Sequence, residues 1–144
     1  MRQRKVTRYY CDFCGKSGGS KYWMLLHERG CTMNPLRVCK CCIADGEEQP
    51  YLASVIAMLH ADLSDRISKD NNEIALANLR HRTHGCPVCI LSALRQSVIF
   101  LAGFNFRSEM DKWRKENLSR IQDAAHSSYY MSELKSSIDS WLNM

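Results

Sequence analysis

The fold class predicted for this chain is mainly α, with small zinc-stabilised β-hairpin/helix modules: a C2HC finger, a treble-clef-like four-cysteine site and C-terminal helices. Three observations predict it. Eight cysteines in 144 residues fall almost entirely into pairs at metal-ligand spacing. Strand signals are limited to Val6–Tyr10 and the turn that follows. From Pro50 onward, apolar residues recur at intervals of three and four, the period of a helix face. No internal repeat or low-complexity segment interrupts the pattern.

The first group reads Cys11-x2-Cys14-x12-His27-x3-Cys31. This is the ligand ruler of a zinc finger, with cysteine replacing the last histidine. The C-x2-C pair closes a tight turn that brings two sulfurs to one metal, and Gly15 supplies the permissive backbone such a turn favours. His27 and Cys31 lie four residues apart, on one face of a helix. The intervening twelve residues suffice for a short hairpin and the first turns of that helix.

The second group pairs Cys39 and Cys42 with Cys86 and Cys89 across 43 intervening residues, longer than the roughly 15–20 of ordinary ribbon spacing. A rigid turn pair and a pair at a helix start make the treble-clef arrangement. Pro87 lies between the later thiols where an apolar helical run begins, and proline suits a first helical turn. A helix N-terminus also lowers a thiol pKa and favours thiolate. Cys41 is spare or exchanges with Cys39, and His81 or His84 is an alternative ligand. Two zinc ions per chain are expected.

Other uses of the cysteines are open but weaker. Disulfides need an oxidising compartment, and the polar, basic stretch Met1–Arg8 has no apolar core of a signal peptide; a cytoplasmic location is expected. Four thiolates also suit an iron–sulfur cluster. A thioredoxin-type C-x2-C wants an α/β pattern, which is not visible here.

The helices follow in order. Leu52, Val55, Ile56, Leu59, Leu63 and Ile67 form one stripe, opened by Pro50 and interrupted at Asp70-Asn71-Asn72. A shorter helix, about residues 72–82, carries Ile74, Ala77 and Leu79. Ile90, Leu91, Leu94, Val98, Ile99 and Leu101 predict a mostly buried helix reaching Gly103. Ser108 is the expected cap of a long charged helix bearing Met110, Trp113, Ile121 and Ala124. Ser132-Glu133 opens a last one with Leu134, Ile138, Trp141 and Leu142. The expected modules are 1–34 (finger), 35–103 (four-cysteine module with a helical insertion) and 104–144 (C-terminal helical segment). No apolar run reaches the roughly 18 residues of a membrane span.

Charge is asymmetric. Residues 1–40 hold nine Lys/Arg against Asp12 and Glu28, a net of +7, whereas residues 41–144 hold eleven basic and thirteen acidic groups, a net of −2. A basic finger and leader is the footprint of a phosphate-binding module. Arg2, Arg4, Lys5, Arg8, Lys16 and Lys21 are its candidate nucleic-acid contacts. They position a polyanion without reading its sequence. The base-reading positions of a DNA-binding finger correspond to Ser20, Trp23 and Leu26, and only Ser20 can hydrogen-bond a base edge well. Tyr22-Trp23-Met24-Leu25-Leu26 is apolar all round. Met24 packs under the zinc, the aromatic usual six residues earlier is replaced by Gly18, and Trp23 and Leu26 are the candidate partner-binding residues. Cover by the chain's own helices is favoured over cover by a partner.

Tyr9-Tyr10-Cys11-Asp12-Phe13-Cys14-Gly15-Lys16, His27-Glu28, Cys31-Thr32-Met33-Asn34-Pro35, Arg37-Val38-Cys39, Cys42 and Gly85-Cys86-Pro87-Val88-Cys89-Ile90-Leu91-Ser92-Ala93-Leu94-Arg95-Gln96 resemble small zinc-finger proteins of bacteriophages and prophages. The resemblance covers about the first hundred residues. It implies a viral, cytoplasmic setting with two metal sites and assigns no activity.

An enzyme is the competing class. His81-Arg82-Thr83-His84 before a cysteine pair suggests a metal-dependent nuclease, but catalytic zinc keeps an open coordination position and both clusters here close with four ligands. No phosphate-cradling glycine loop or His-Glu-x-x-His motif is present. The reading is a non-enzymatic regulatory binding protein contacting nucleic acid, with DNA the expected polymer. A protein-targeting adaptor or inhibitor of a host bacterial protein is the alternative. Neither membrane nor small-molecule substrate is expected.

Overall fold

The computed structural model describes residues 1–64 and 70–125, and the side chains of 1–64 and 71–118. β1 (Tyr9–Tyr10) pairs antiparallel with β2 (Ser17–Gly18), in the register Tyr9 to Gly18 and Tyr10 to Ser17. The turn between them is closed by Cys11 N–H to the Lys16 carbonyl (2.8 Å) and Gly15 N–H to the Cys11 carbonyl (2.9 Å). Gly15 has φ +73°, a conformation that costs glycine little and other residues more. α1 (Lys21–Gly30) follows at once. Ser20 holds extended backbone, and its hydroxyl accepts from Trp23 N–H, a serine N-cap.

Met24 is buried between helix and hairpin, packed with Tyr9 and Met33. A Cβ at Gly18 would sit 3.2 Å from the Met24 methyl. The missing aromatic at Gly18 therefore makes room for the methionine reaching down from the helix.

The body of the chain is helical: α2 (Lys40–Asp45), α3 (Leu52–Ser64), α4 (Asp70–Arg82), α5 (Pro87–Ser97) and α6 (Phe106–Ala125). Leu52, Val55 and Leu59 of α3, Ala75, Leu76 and Leu79 of α4, and Ile90, Ala93 and Leu94 of α5 bury one core, joined by Leu101 from the following loop. Ile56 and Leu63 pack at its margin. The Arg82–Asp62 ion pair at 2.6 Å ties the end of α4 to α3.

Four local expectations change. The Cys39–Cys42 pair lies on the short helix α2 rather than in a rigid turn, and Gly46 in the left-handed conformation ends that helix. α4 begins at Asp70, so the Asp-Asn-Asn run starts a helix, and the buried face is Ala75, Leu76, Leu79 and Thr83, with Ile74 exposed. α5 stops at Ser97, not Gly103: Ile99 N–H returns to the Leu94 carbonyl, which turns the chain so that Leu101 enters the core. α6 is capped by Asn105, whose side-chain oxygen accepts from Ser108 N–H at 3.0 Å, so Ser108 lies inside the helix rather than at its cap.

Met110 and Trp113 are buried on one α6 face. Ile67 and the helix expected from Ser132 to Leu142 lie outside the described residues, as do the side chains of Ile121 and Ala124.

The finger is joined to the body by polar contacts. Arg95 donates to the Thr32 hydroxyl (2.7 Å), while the Gln96 amide donates to the carbonyls of Thr32 (2.8 Å) and Asn34 (3.1 Å). These bonds run between the segments 1–34 and 35–103. Met110 and Trp113, from the segment after 103, pack with the second cysteine group.

Candidate metal centres

Two groups of four ligands assemble, and within each the ligand atoms all lie within 4.8 Å of one another: Cys11, Cys14, His27 and Cys31; and Cys39, Cys42, Cys86 and Cys89. In the first, the hairpin turn presents Cys11 and Cys14, α1 presents His27, and Cys31 follows at the helix C-cap. The Cys14 sulfur is 3.2 Å from His27 Nε2. Glu28 braces this arrangement, its carboxylate accepting from Asp12 N–H at 2.9 Å. Asn34 donates to the Glu28 carbonyl (2.8 Å) and accepts from Leu36 N–H (2.9 Å), which fixes the chain leaving the cluster.

Electrostatics favours ligation at His27 and Cys14 and works against it at Cys31. Burial and the Lys16 charge lower the His27 pKa against the pull of Glu28, keeping the imidazole neutral and able to ligate. Burial pushes the Cys31 thiol up to about 11. Burial acts the same way on Cys14 but is outweighed by the Lys16 backbone and the neighbouring Cys11 and Cys31, so that thiol is lowered.

The second cluster is wholly buried. Cys39 and Cys86 are the N-cap residues of α2 and α5, and Cys42 and Cys89 sit three residues on. Each C-x2-C thus spans the first turn of a helix, and the two turns face each other. Cys39 and Cys86 sulfurs are 3.5 Å apart, as are those of Cys42 and Cys89. Gln49 ties the approach together, its side-chain oxygen accepting from Cys39 N–H and its amide donating to the Arg37 carbonyl at 2.7 Å.

Four thiols at this distance cannot all ionise by themselves. Hydrogen bonds from Cys41, Cys42, Cys86 and Cys89 pull Cys39 down, and hydrogen bonding to Cys39, with burial and its charge added, pushes Cys42 and Cys89 up. A divalent cation at the centre removes that conflict, because a coordinating thiol is deprotonated outright.

Arg37 tests the fit independently. It is only 3% exposed, its guanidinium donates to Cys89 Sγ at 3.5 Å, and its Nε has no partner. Among the described residues no carboxylate pairs with it. A buried guanidinium needs a counter-charge. Four thiolates on one Zn²⁺ carry a net −2 and supply it. Tetrahedral donor sets of three cysteines with one histidine, or of four cysteines, are those of structural zinc, and the two clusters can hold two zinc ions.

The structure also settles the alternative ligands. Cys41 is buried beside the second cluster but outside its four, while His81 and His84 are exposed. Of the candidate nucleic-acid contacts, Arg2, Arg4, Lys5, Arg8, Lys16 and Lys21 all lie at exposed positions. Leu26 is half-buried.

Trp23 corrects an expectation. Among the described residues, cover by the chain's own helices does not form: its side chain is 55% exposed, and Tyr22 and Leu25 are similarly open. The body reaches the finger through Thr32–Asn34, on the chain beyond α1, and leaves this helix face uncovered.

Sequence reasoning missed Arg37, Gln49, Glu28 and Asn34. Only Arg37 carried a sequence signal, as a basic residue two positions before a C-x2-C pair.

Fold and clusters together define a class: a mainly helical protein with a two-stranded hairpin and two four-ligand Cys/His clusters suited to zinc. Comparison with known protein families, curated proteins and solved structures finds no match to this chain. Among the described residues no helix is long and apolar enough to cross a membrane.

Proposed function

We propose that this chain is a zinc-stabilised regulatory binding protein that contacts nucleic acid, DNA in the first instance, through its basic N-terminal finger region. One observation carries the reading. Residues 1–40 are net +7 and the remainder net −2, and seven of the nine cations of that stretch, Arg2, Arg4, Lys5, Arg8, Lys16, Lys21 and Arg29, are exposed on the leader and finger. Such a field attracts a polyanion and releases its counterions. The phage and bacterial-cytoplasm setting rests on the resemblance described above. Binding rather than catalysis is favoured because each cluster is closed by four protein ligands, which leaves zinc no open position for water or substrate.

The test is a salt titration of duplex DNA binding by the zinc-loaded chain. Affinity should fall steeply with salt, and joint replacement of Arg2, Arg4, Lys5 and Arg8 by Ala should flatten the slope and weaken all sequences alike. No binding at low salt would end this reading.

A second reading, a protein-targeting adaptor or inhibitor of a host bacterial protein, is favoured by a separate feature. A groove of about 480 Å³ runs along Leu91, Val98, Phe100, Phe104 and Phe106. Phe100 stands 85% exposed at its edge, as an apolar anchor for another protein would.

A further inference from the structure

The outer face of α1 is used by neither zinc cluster. Tyr22, Leu25 and Arg29 succeed one another at helical spacing on the side away from Met24, His27 and Glu28, and all three are exposed. Trp23 flanks them. Its ring meets that of Tyr22 edge to face, with centroids 5.4 Å apart and planes at 72°. Lys21 is exposed at the start of the same helix. Large exposed rings contribute little to folding here, and Ala is the better helix former at such positions.

We infer that this face is a stacking platform for single-stranded nucleic acid. Trp23 and Tyr22 receive bases, while Lys21, Arg29 and the leader residues Arg2, Arg4, Lys5 and Arg8 receive phosphates. The inference rests on the nucleic-acid reading above and names the form of polymer it takes.

Three observations favour a single strand. First, duplex reading through this helix lacks its donors: Trp23 and Leu26 occupy two of the base-reading positions, and the third, Ser20, has its hydroxyl engaged as the N-cap of α1. Second, an aromatic ring takes the face of any base, and base faces are open only when unstacked. Third, the rings are flanked by cations at Lys21 and Arg29, within a region of net +7. Tyr, Trp and Arg also serve protein interfaces, but lysine is depleted there, so Lys21 and the cationic leader fit a polyanion better than an apolar protein surface.

The test compares the full zinc-loaded chain with a Tyr22→Ala, Trp23→Ala double variant. Both substitutions replace exposed side chains, so far-ultraviolet circular dichroism and zinc content should be retained. The probes are oligo(dT) of about 16 nucleotides, the upper end of common single-strand site sizes, and a duplex of the same length. The wild type should prefer the single strand, with tryptophan emission quenched on binding. The double variant should lose about tenfold in single-strand affinity per ring, together with the quenching, and keep its duplex affinity.

Equal single-strand affinity in the two proteins would overturn the inference, as would a wild type with no preference for single strand over duplex. In either case salt-sensitive duplex binding would leave the phosphate reading standing. Failure to bind either probe at low salt would remove both. Unchanged nucleic-acid affinity, with a lysate protein retained by the wild type and lost by the variant, would assign the face to a protein partner instead.

Discussion

Arg37→Met should weaken zinc at the Cys39–Cys42–Cys86–Cys89 cluster about 10–100-fold and leave the Cys11–Cys14–His27–Cys31 cluster unchanged. The guanidinium donates to Cys89 Sγ at 3.5 Å from a site only 3% exposed. At an effective dielectric of about 20, a full charge pair at that distance is worth roughly 5 kcal/mol gross. Much of this offsets the desolvation of the guanidinium. The net for a hydrogen bond to a charged group is about 1.5–3 kcal/mol, or roughly one to two decades in affinity.

Methionine keeps much of the buried volume and removes the charge, which makes the sign informative. With thiolates on zinc, Arg37 is the counter-charge and its loss weakens the metal. With neutral thiols it would be a buried cation without a partner, and Met would raise stability. A competition titration with a chromophoric chelator, following release of both zinc ions, reads the outcome directly. Unchanged release of both ions, or a variant more stable than the wild type, would refute the reasoning.

Elemental analysis should find about two zinc ions per chain, and none, or coloured iron, would contradict the metal assignment. Cys14→Ser should unfold the finger while sparing most helical signal in circular dichroism. Cys86→Ser should cost more, because its cluster joins α2 to α5 beneath α6. Asp62 accepts from Arg82, which holds its carboxyl pKa below the ordinary value against burial. A depressed folded pKa contributes stability that is present above about pH 4 and lost as pH falls through the folded value. Asp62→Asn should therefore cost about 0.5–1 kcal/mol at neutral pH, and the deficit should shrink on acidification in denaturant melts. Val98 holds φ +56° at the α5 C-cap while 90% exposed, a costly conformation for a β-branched residue that buries little there. Val98→Gly should raise stability by about 1 kcal/mol, measured as the urea midpoint.

What the sequence determined by itself was the chemistry that is local. Ligand spacing placed Cys11, Cys14, His27 and Cys31 around one turn and one helix, because a C-x2-C and a His-x3-Cys constrain geometry within a few residues. Helical periodicity marked the buried stripe Leu52, Val55 and Leu59 for the same reason. The pairing of Cys39 and Cys42 with Cys86 and Cys89 was legible as four thiols in two pairs, although periodicity did not reveal that α2 carries the first pair.

Tertiary structure decided the remainder. α5 ends at Ser97 because Leu101 gains more by entering the core beside Leu76 and Leu94 than by continuing a helix, and no residue near Val98 announces a stop. Cys41 stays out of the second cluster, and His81 and His84 stay in solvent, because the opposed starts of α2 and α5 bring Cys39, Cys42, Cys86 and Cys89 together as a complete set of four. Arg37 became a counter-charge, and Trp23 an open surface, only once the chain had folded. Burial and charge balance depend on residues distant in sequence, and a local pattern does not carry them.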